Sequence, residues 1–328
     1  MRDIECIADN NFSGLLALEK TISSHRAGVL LHVAAQEGRL EVCQWLHATF
    51  ELTVEDARAG ECSALQWAAK GGHLAVCEWL HATYFFTKTD ARAGDNYALR
   101  LAAVSGHRDV CEWLHATFEL TVEDARAGDN YPLKAAAANG HRDVCEWLHE
   151  TFELTAEDAR GDDCSALQWA IRGGHLDVCE WLHATFTLTP ADARAWDNWA
   201  LRQATSDGHL EVCQWLHATY GLTAADARTW DNWALRFAAA SGRRDVCQWL
   251  YVTYGLTAED ARTSNNHALL WAATRGHLDT CKWLHETFHL TPADWEKYAI
   301  SAKPAVAAWI RRLTASARLR ELAAELSS

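Results

Sequence analysis

The sequence predicts an all-α solenoid in which helix-turn-helix repeats stack on one another. Three observations support this: a repeat length of 34 residues that never changes, apolar residues at helical spacing, and glycines at one fixed position. A constant period of this length is typical of repeats that are too small to fold alone and that bury their apolar faces against neighbouring repeats. The period is marked by eight cysteines, each followed two residues later by tryptophan: Cys43, Cys77, Cys111, Cys145, Cys179, Cys213, Cys247 and Cys281.

The first predicted helix of each repeat is short and rich in alanine. In the repeat that spans residues 90–123, the helically spaced residues are Ala98, Leu99, Ala102 and Ala103. Asn96 precedes them and is expected to be the N-cap. Gly106 is expected to end the helix in a left-handed turn, where glycine is the usual residue. The small alanine side chains allow the next repeat to approach closely.

The second predicted helix contains the motif V-C-x-W-L. Val110, Cys111, Trp113 and Leu114 form an amphipathic pattern that places the cysteine on a buried face. A free cysteine behaves as a small hydrophobic residue in such a position. Cys62 and Cys164 share a second repeat position. Because this placement does not suggest disulfides, we expect a reducing compartment, which means the cytosol or the nucleus.

The segment that connects successive repeats reads Leu-Thr-x-x-Asp-Ala-Arg, or close to it. A threonine followed three residues later by an acidic residue resembles a capping box, and Pro190 and Pro292 directly follow this threonine. The segment is therefore predicted to form a short helical turn rather than a strand. The recurring arginine is expected to neutralise nearby carboxylates and carbonyls: Arg58, Arg92, Arg126, Arg160, Arg194, Arg228 and Arg262.

The boundaries of the array follow from where the motif is present. Residues 24–294 are predicted to contain eight repeats. Residues 1–23 are predicted to form a degenerate N-terminal cap, and residues 295–328, where the motif is lost, C-terminal capping helices.

Composition narrows the classes of partner. The net charge of -14 argues against nucleic acid or an anionic membrane as the main partner, because both require clustered lysine and arginine. No apolar run approaches the ~20 residues that a membrane-spanning helix needs. The first residues lack a basic start and an apolar core, so we expect no secretory signal.

The helix pair of each repeat resembles the ankyrin repeat. The shared pattern is A-L-x-x-A-x-x-x-G-H-x-x-V-C-x-W-L, with its closest matches at Tyr131-Pro132-Leu133 and at Gly-His pairs such as Gly72-His73. The resemblance covers residues 24–294. It departs from the family in its period, which is 34 instead of 33, and in its connecting segment. The resemblance implies ankyrin helix pairs whose β-hairpin is shortened or replaced by a short helical turn. The tetratricopeptide family shares the period, but its two long helices leave no room for the Gly-His break.

Candidate binding residues are aromatic residues in positions that vary between repeats. In the ankyrin family, one matching position starts the inner helix and faces the concave side. Tryptophan and tyrosine are enriched in binding hot spots. The residues predicted to contact a partner are Trp67, Tyr97, Tyr131, Trp169, Trp196, Trp199, Trp230, Trp233, Phe237 and Trp271. The alternative is that they pack against adjacent repeats as part of the core.

Metal binding and catalysis have little support in the sequence. His73, Cys77 and His81 are spaced along one helix face, but the two histidines are about 12 Å apart, too far for one ion to bind all three residues. The first histidine belongs to the Gly-His pair, which in ankyrin repeats bonds to the backbone. No phosphate-binding glycine loop, nucleophile elbow or H-E-x-x-H motif is present in the sequence. We therefore expect no cofactor, no metal and no enzymatic activity.

These observations predict a scaffold or adaptor that binds a protein partner along an aromatic-lined concave face. The alternative is a structural assembly protein that self-associates into an oligomer or larger particle, which the similarity of the repeats and the 17 tryptophans make credible.

Overall fold

A computed structural model describes residues 2–9, 11–17, 19–59, 63–161, 165–295 and 300–325. The chain divides into two compact units, the first comprising residues 1–173 and 180–186 and the second residues 174–179 and 187–328. Within the described residues each unit is a stack of helical repeats, and no strand occurs there. The predicted all-α class, with the β-hairpin replaced by a short helical turn, is confirmed. The predicted cap and repeat boundaries stay a prediction, and Cys62 and Cys164 lie outside the described residues.

The first unit begins with three short helical segments and continues with the repeats. Its helices are Arg2–Ala8, Phe12–Ala17, the 3-10 helix Glu19–Thr21, Ser24–Gln36, Leu40–Phe50, Val54–Arg58, Ala64–Gly71, Leu74–Tyr84, Lys88–Ser105, Arg108–Phe118, Val122–Ala125, Ala127–Ala138, Arg142–Phe152, Ala156–Arg160 and Ala166–Gly173. Helix Leu176–Phe186 contributes residues to both units.

The second unit contains the same three elements in each repeat, and it ends in a longer helix. In some repeats the short helix and the inner helix fall within one range, as in Pro190–Asp207. Its helices are Pro190–Asp207, Leu210–Tyr220, Ala224–Ala227, Thr229–Ala240, Arg244–Tyr254, Ala258–Arg275, Leu278–Phe288, Pro292–Trp295 and Pro304–Glu325. In both units a repeat comprises a short helix, an alanine-rich inner helix and an outer helix that carries the V-C-x-W-L motif. The inner and outer helices share a core of alanine, leucine, valine and cysteine, and the eight recurring cysteines are buried.

The short helix begins with a capping box, as the sequence predicts. The Thr53 amide donates to Asp56 Oδ2 at 2.8 Å, and the Asp56 amide donates to Thr53 Oγ1 at 3.4 Å. The same reciprocal pair starts the equivalent helix at Thr87, Thr121, Thr155, Thr189, Thr223 and Thr257. The threonine–aspartate spacing therefore fixes the start of this helix in successive repeats.

An arginine–aspartate ion pair joins the short helices of successive repeats. Arg92 Nε and Nη2 each donate to a carboxylate oxygen of Asp124 at 2.8 Å, and Asp124 also accepts the amide of Thr121. The predicted neutralisation by this arginine is confirmed, and the carboxylate belongs to the next repeat. Equivalent pairs are Arg58–Asp90, Arg126–Asp158, Arg194–Asp226, Arg228–Asp260 and Arg262–Asp294.

The prediction that Asn96 caps the inner helix is wrong. Gly94, Asp95 and Asn96 form a left-handed turn with φ of 64°, 64° and 59°, and Asn96 is buried with no hydrogen bond to its Oδ1 from the described residues. A capping residue needs extended backbone and an oxygen that accepts a helix amide. In another repeat Ser63, one position later in the alignment, meets both conditions, since it forms a capping box with Gln66. Gly106 ends the inner helix with φ of 77°, as predicted.

Candidate functional site

Eight of the ten predicted aromatic residues lie on the inner helices, either at the capping position or one turn later. Trp199 and Trp233 occupy the capping position of Ser63, as do Tyr97 and Tyr131. The residues one turn later, where they are aromatic, are Trp67, Trp169, Phe237 and Trp271. All eight of these side chains are half-buried, so they are neither fully exposed nor part of the closed core.

In the second unit, aromatic rings contact one another both within a repeat and between neighbouring repeats. Trp233 stacks on Phe237 with ring centroids 3.5 Å apart, and Phe237 meets Trp271 edge-on at 5.0 Å. His267 stacks on Trp271 at 5.0 Å, and Trp230 meets Trp233 edge-on at 6.2 Å. We call these five residues the aromatic array. Their mutual contacts hold the rings in fixed orientations, which lowers the entropy lost when a partner binds them.

Trp196 and Trp230 differ from the other aromatic residues because they project into solvent. Their exposed fractions are 63% and 57%, and each occupies the first position of a left-handed turn, with φ of 55° and 54°. In other repeats this position is glycine, at Gly94 and Gly128. The left-handed conformation costs a non-glycine residue roughly 1–2 kcal/mol. Each tryptophan therefore combines an exposed apolar surface with an unfavourable backbone conformation.

Arginine side chains lie against these rings. The guanidinium carbon of Arg202 is 4.5 Å from the ring centroid of Trp230 and 5.3 Å from that of Trp233. Arg202 Nη2 donates to the carbonyl of Trp196 at 3.0 Å, and Arg236 Nη2 donates in the same way to Trp230. Burial lowers the pKa of both Arg202 and Arg236 below the usual value of arginine. The arginines thus link the left-handed turn to the inner helix while they stack on aromatic faces.

The first unit has a smaller version of this arrangement. The guanidinium of Arg100 lies 5.6 Å from the ring centroid of Tyr97 and 4.2 Å from that of Tyr131. Tyr131 meets Trp169 edge-on at 6.2 Å, and the Lys70 ammonium lies 5.0 Å from the ring of Trp67. The first unit therefore presents pairs of contacts, whereas the second presents an array.

The sequence interpretation overlooked the arginines. A signal for them is present, because serine at the capping position is followed three residues later by glutamine, at Ser63–Gln66 and Ser165–Gln168. Where the capping position holds tyrosine or tryptophan, that residue is arginine or lysine: Arg100, Lys134, Arg202 and Arg236. The polar capping box is thus replaced by an aromatic residue and a cation; Arg100, Arg202 and Arg236 lie against aromatic rings of the next repeat, whereas Lys134 pairs with Asp129. His267 occupies the same capping position, is not among the predicted binding residues, and belongs to the aromatic array.

Most histidines of the His-x3-Cys-x3-His pattern that the structure describes bond to the backbone. His73 Nε2 lies 2.9 Å from the carbonyl oxygen of Gln36 in the preceding repeat, as the resemblance implies. The second histidine closes the end of its own helix in several repeats, as at His115, whose Nδ1 lies 2.9 Å from the carbonyl oxygen of Leu120, whereas His81 Nδ1 is buried without a partner among the described residues. No group of three or more potential metal ligands occurs among the described residues. None of the described helices is both long and apolar enough to cross a membrane.

The comparison with protein-family models agrees with this repeat geometry. A model for ankyrin repeats, in three copies, matches residues 31–124, 115–189 and 201–294, which together amount to more than half of the chain. No curated protein gives a significant match. Given the coverage of the family model and the stacked pairs of inner and outer helices, the chain belongs to the ankyrin-repeat family.

Proposed function

We propose that this chain is a non-enzymatic scaffold or adaptor that binds a protein partner across the aromatic residues of its inner helices. Ankyrin repeats are generally protein–protein interaction modules. The observation that carries the proposal is the exposure of Trp230, a member of the aromatic array, and of Trp196 at the equivalent position of the preceding repeat. The half-buried aromatic residues of the second unit would form the rest of this contact surface, and those of the first unit are proposed as contacts in their own right.

Energetics favour a binding role over a purely structural one most clearly for Trp196, because Trp230 also packs on Arg202 and Trp233. Glycine at the same position costs no left-handed strain, and other repeats use it there. Tryptophan adds strain and leaves more than half of its side chain in water. Neither property stabilises the free chain. Burial of the exposed ring by a partner would offset both, because tryptophan contributes a large apolar area at low entropic cost.

The test is affinity capture from cell extract with quantitative mass spectrometry. The binding-surface variant is Trp196→Gly with Trp230→Gly, which introduces a residue that the fold already accepts at this position. The matched control is Phe85→Gly. Phe85 is also an exposed aromatic residue with positive φ, and its equivalents in other repeats are Gly221 and Gly255. Partners lost by the tryptophan variant and kept by the control support the proposal, and partners retained by both variants contradict it.

Light scattering as a function of concentration separates a different partner from a second copy of the chain. A mass that stays monomeric favours the scaffold. A mass that rises with concentration, and that returns to monomer in the tryptophan variant, favours the self-association alternative.

We also propose a reducing compartment, either the cytosol or the nucleus. The eight cysteines of the repeat position are buried at the same place in each repeat and form no disulfide among the described residues. Cysteines in such number without disulfides are typical of proteins that are not exposed to an oxidising environment.

A further inference from the structure

Charge is distributed unequally between the inner helices and the rest of the chain. The chain has 30 basic and 44 acidic residues. The inner-helix segments 64–71, 98–105, 132–139, 166–173, 200–207, 234–241 and 268–275 contain a single acidic residue, Asp207. The same segments contain these basic residues: Lys70, Arg100, Lys134 and Arg172 in the first unit, and Arg202, Arg236 and Arg275 in the second. An acidic protein therefore has inner helices that are basic and aromatic.

Three of these arginines have no carboxylate partner. Arg100, Arg202 and Arg236 form no ion pair with any described residue, and the Nε atom of each is buried without an acceptor there. The arginines of the short helices, by contrast, make two hydrogen bonds each to an aspartate, as Arg228 does with Asp260. Half-buried guanidinium groups without a hydrogen-bonded carboxylate are costly in the free protein, and a carboxylate brought to them forms short, charge-assisted hydrogen bonds.

Asp197 and Asp231 attract Arg202 and Arg236 through their charge but form no hydrogen bond with them, and their carboxylates accept from other residues. Asp197 Oδ2 accepts the indole N–H of Trp230 at 3.2 Å, and Asp231 Oδ2 accepts the hydroxyl of Ser264 at 3.3 Å. Asp207 accepts from the amide of Gln203 at 2.7 Å. Lys134, by contrast, pairs with Asp129 of its own repeat.

We infer that the partner supplies an extended acidic segment, whose carboxylates pair with Arg202 and Arg236 while its apolar side chains contact Trp196 and Trp230. This inference rests on the proposed function and adds the chemistry of the partner. Charge complementarity distinguishes this surface from the remainder of the chain, since the net charge of -14 would repel an acidic segment elsewhere. The aromatic ring covers one face of the guanidinium and leaves N–H groups at its edge for a carboxylate. Nη1 of Arg202 has no hydrogen-bond partner among the described residues, whereas Nη1 of Arg236 lies 3.3 Å from His267 Nδ1.

The test measures fluorescence anisotropy of a short, fluorescein-labelled peptide in which glutamate alternates with leucine and serine, titrated with the full chain. Two further probes are the peptide with glutamine in place of glutamate and a single-stranded oligonucleotide of similar length. The variant is Arg202→Gln with Arg236→Gln. The control is Arg244→Gln with Lys282→Gln, which removes two positive charges from outer helices of the same unit. Circular dichroism checks that both variants fold.

We expect the glutamate peptide to bind roughly tenfold more tightly than the glutamine peptide, and the arginine variant to lose that preference. The control should keep the preference, and added salt should reduce it. Equal affinity for the two peptides, or an unchanged preference in the arginine variant, overturns the inference. Tighter binding of the oligonucleotide also overturns it. If cellular partners still depend on Trp196 and Trp230 in the capture experiment, the proposed function stands even when this inference fails.

Discussion

Trp196→Gly and Trp230→Gly make the same chemical change in equivalent turns, yet we expect different effects on stability. Both substitutions relieve a left-handed backbone, which favours the variant by roughly 1–2 kcal/mol. Glycine, however, loses more conformational freedom on folding, which offsets roughly 0.5–1 kcal/mol of this stabilisation. Trp196 is 63% exposed, so little packing is lost with its ring. The free energy of unfolding of Trp196→Gly should therefore lie within about 1 kcal/mol of the parent value.

Trp230 makes three contacts that Trp230→Gly removes. They are the guanidinium of Arg202 at 4.5 Å, the ring of Trp233 at 6.2 Å and the hydrogen bond to Asp197 at 3.2 Å. Such contacts contribute about 0.5–1 kcal/mol for an exposed cation–π pair, about 0.5–1.5 for an aromatic pair and about 0.5–1.5 for a hydrogen bond. When the stabilisation from the relieved backbone is subtracted from the loss of these contacts, Trp230→Gly should destabilise the protein by about 1–3 kcal/mol.

Urea unfolding followed by circular dichroism measures this difference. Because repeat arrays need not unfold in a single step, the midpoint of the same transition is compared among the three proteins. The expected order is Trp196→Gly close to the parent, with Trp230→Gly clearly lower. A Trp196→Gly variant that is less stable than Trp230→Gly would refute the assignment of the stabilising contacts to Trp230.

Further predictions concern the ion pairs and the thiols. Asp124→Asn weakens both a capping box and an ion pair at a carboxylate that is 7% exposed, so it should lower the free energy of unfolding by about 1–3 kcal/mol. The control Asp109→Asn changes an exposed carboxylate and should alter the urea midpoint little. Burial raises the pKa of Asp124, but Arg92 and the Thr121 amide lower it by a larger amount. The resulting pKa is about 2, below the usual 3.8. Because the pKa of Asp124 is depressed in the folded state, the stability that this carboxylate contributes is complete above about pH 5 and is lost as the pH falls towards 2. A urea midpoint that stays constant between about pH 5 and about pH 2 would contradict the account. Burial raises the pKa of the Cys43 thiol to about 12, so the eight recurring cysteines should resist a thiol reagent until denaturant is added; rapid modification of the native chain would show that they are accessible.

The helical architecture could be predicted because its signals are local and repeated. The threonine–aspartate spacing predicts the short helix, since both residues of the capping box lie within one turn. The cysteine and tryptophan positions predict the outer helix, and Gly106 predicts the end of the inner helix. Each of these features depends on residues close together in sequence, and each recurs along the chain.

The left-handed turn could not be predicted in the same way. Asparagine favours both helix caps and left-handed turns, and Asn96 precedes a helix in either case. Only the backbone angles decide between these roles. The half-burial of the aromatic residues is likewise not encoded locally. Trp230 is covered on one face by Arg202, which comes from the preceding repeat, so its surroundings depend on how the repeats stack.

The central claim is that a protein partner covers the exposed tryptophans and the aromatic array of the second unit. Backbone amide hydrogen exchange of the full chain, with and without a captured partner, tests this claim most directly. The account predicts that protection on binding is greatest in the turns at residues 196–198 and 230–232 and in the inner helices that follow them. Protection confined to the outer helices, with exchange in these turns unchanged, would contradict it.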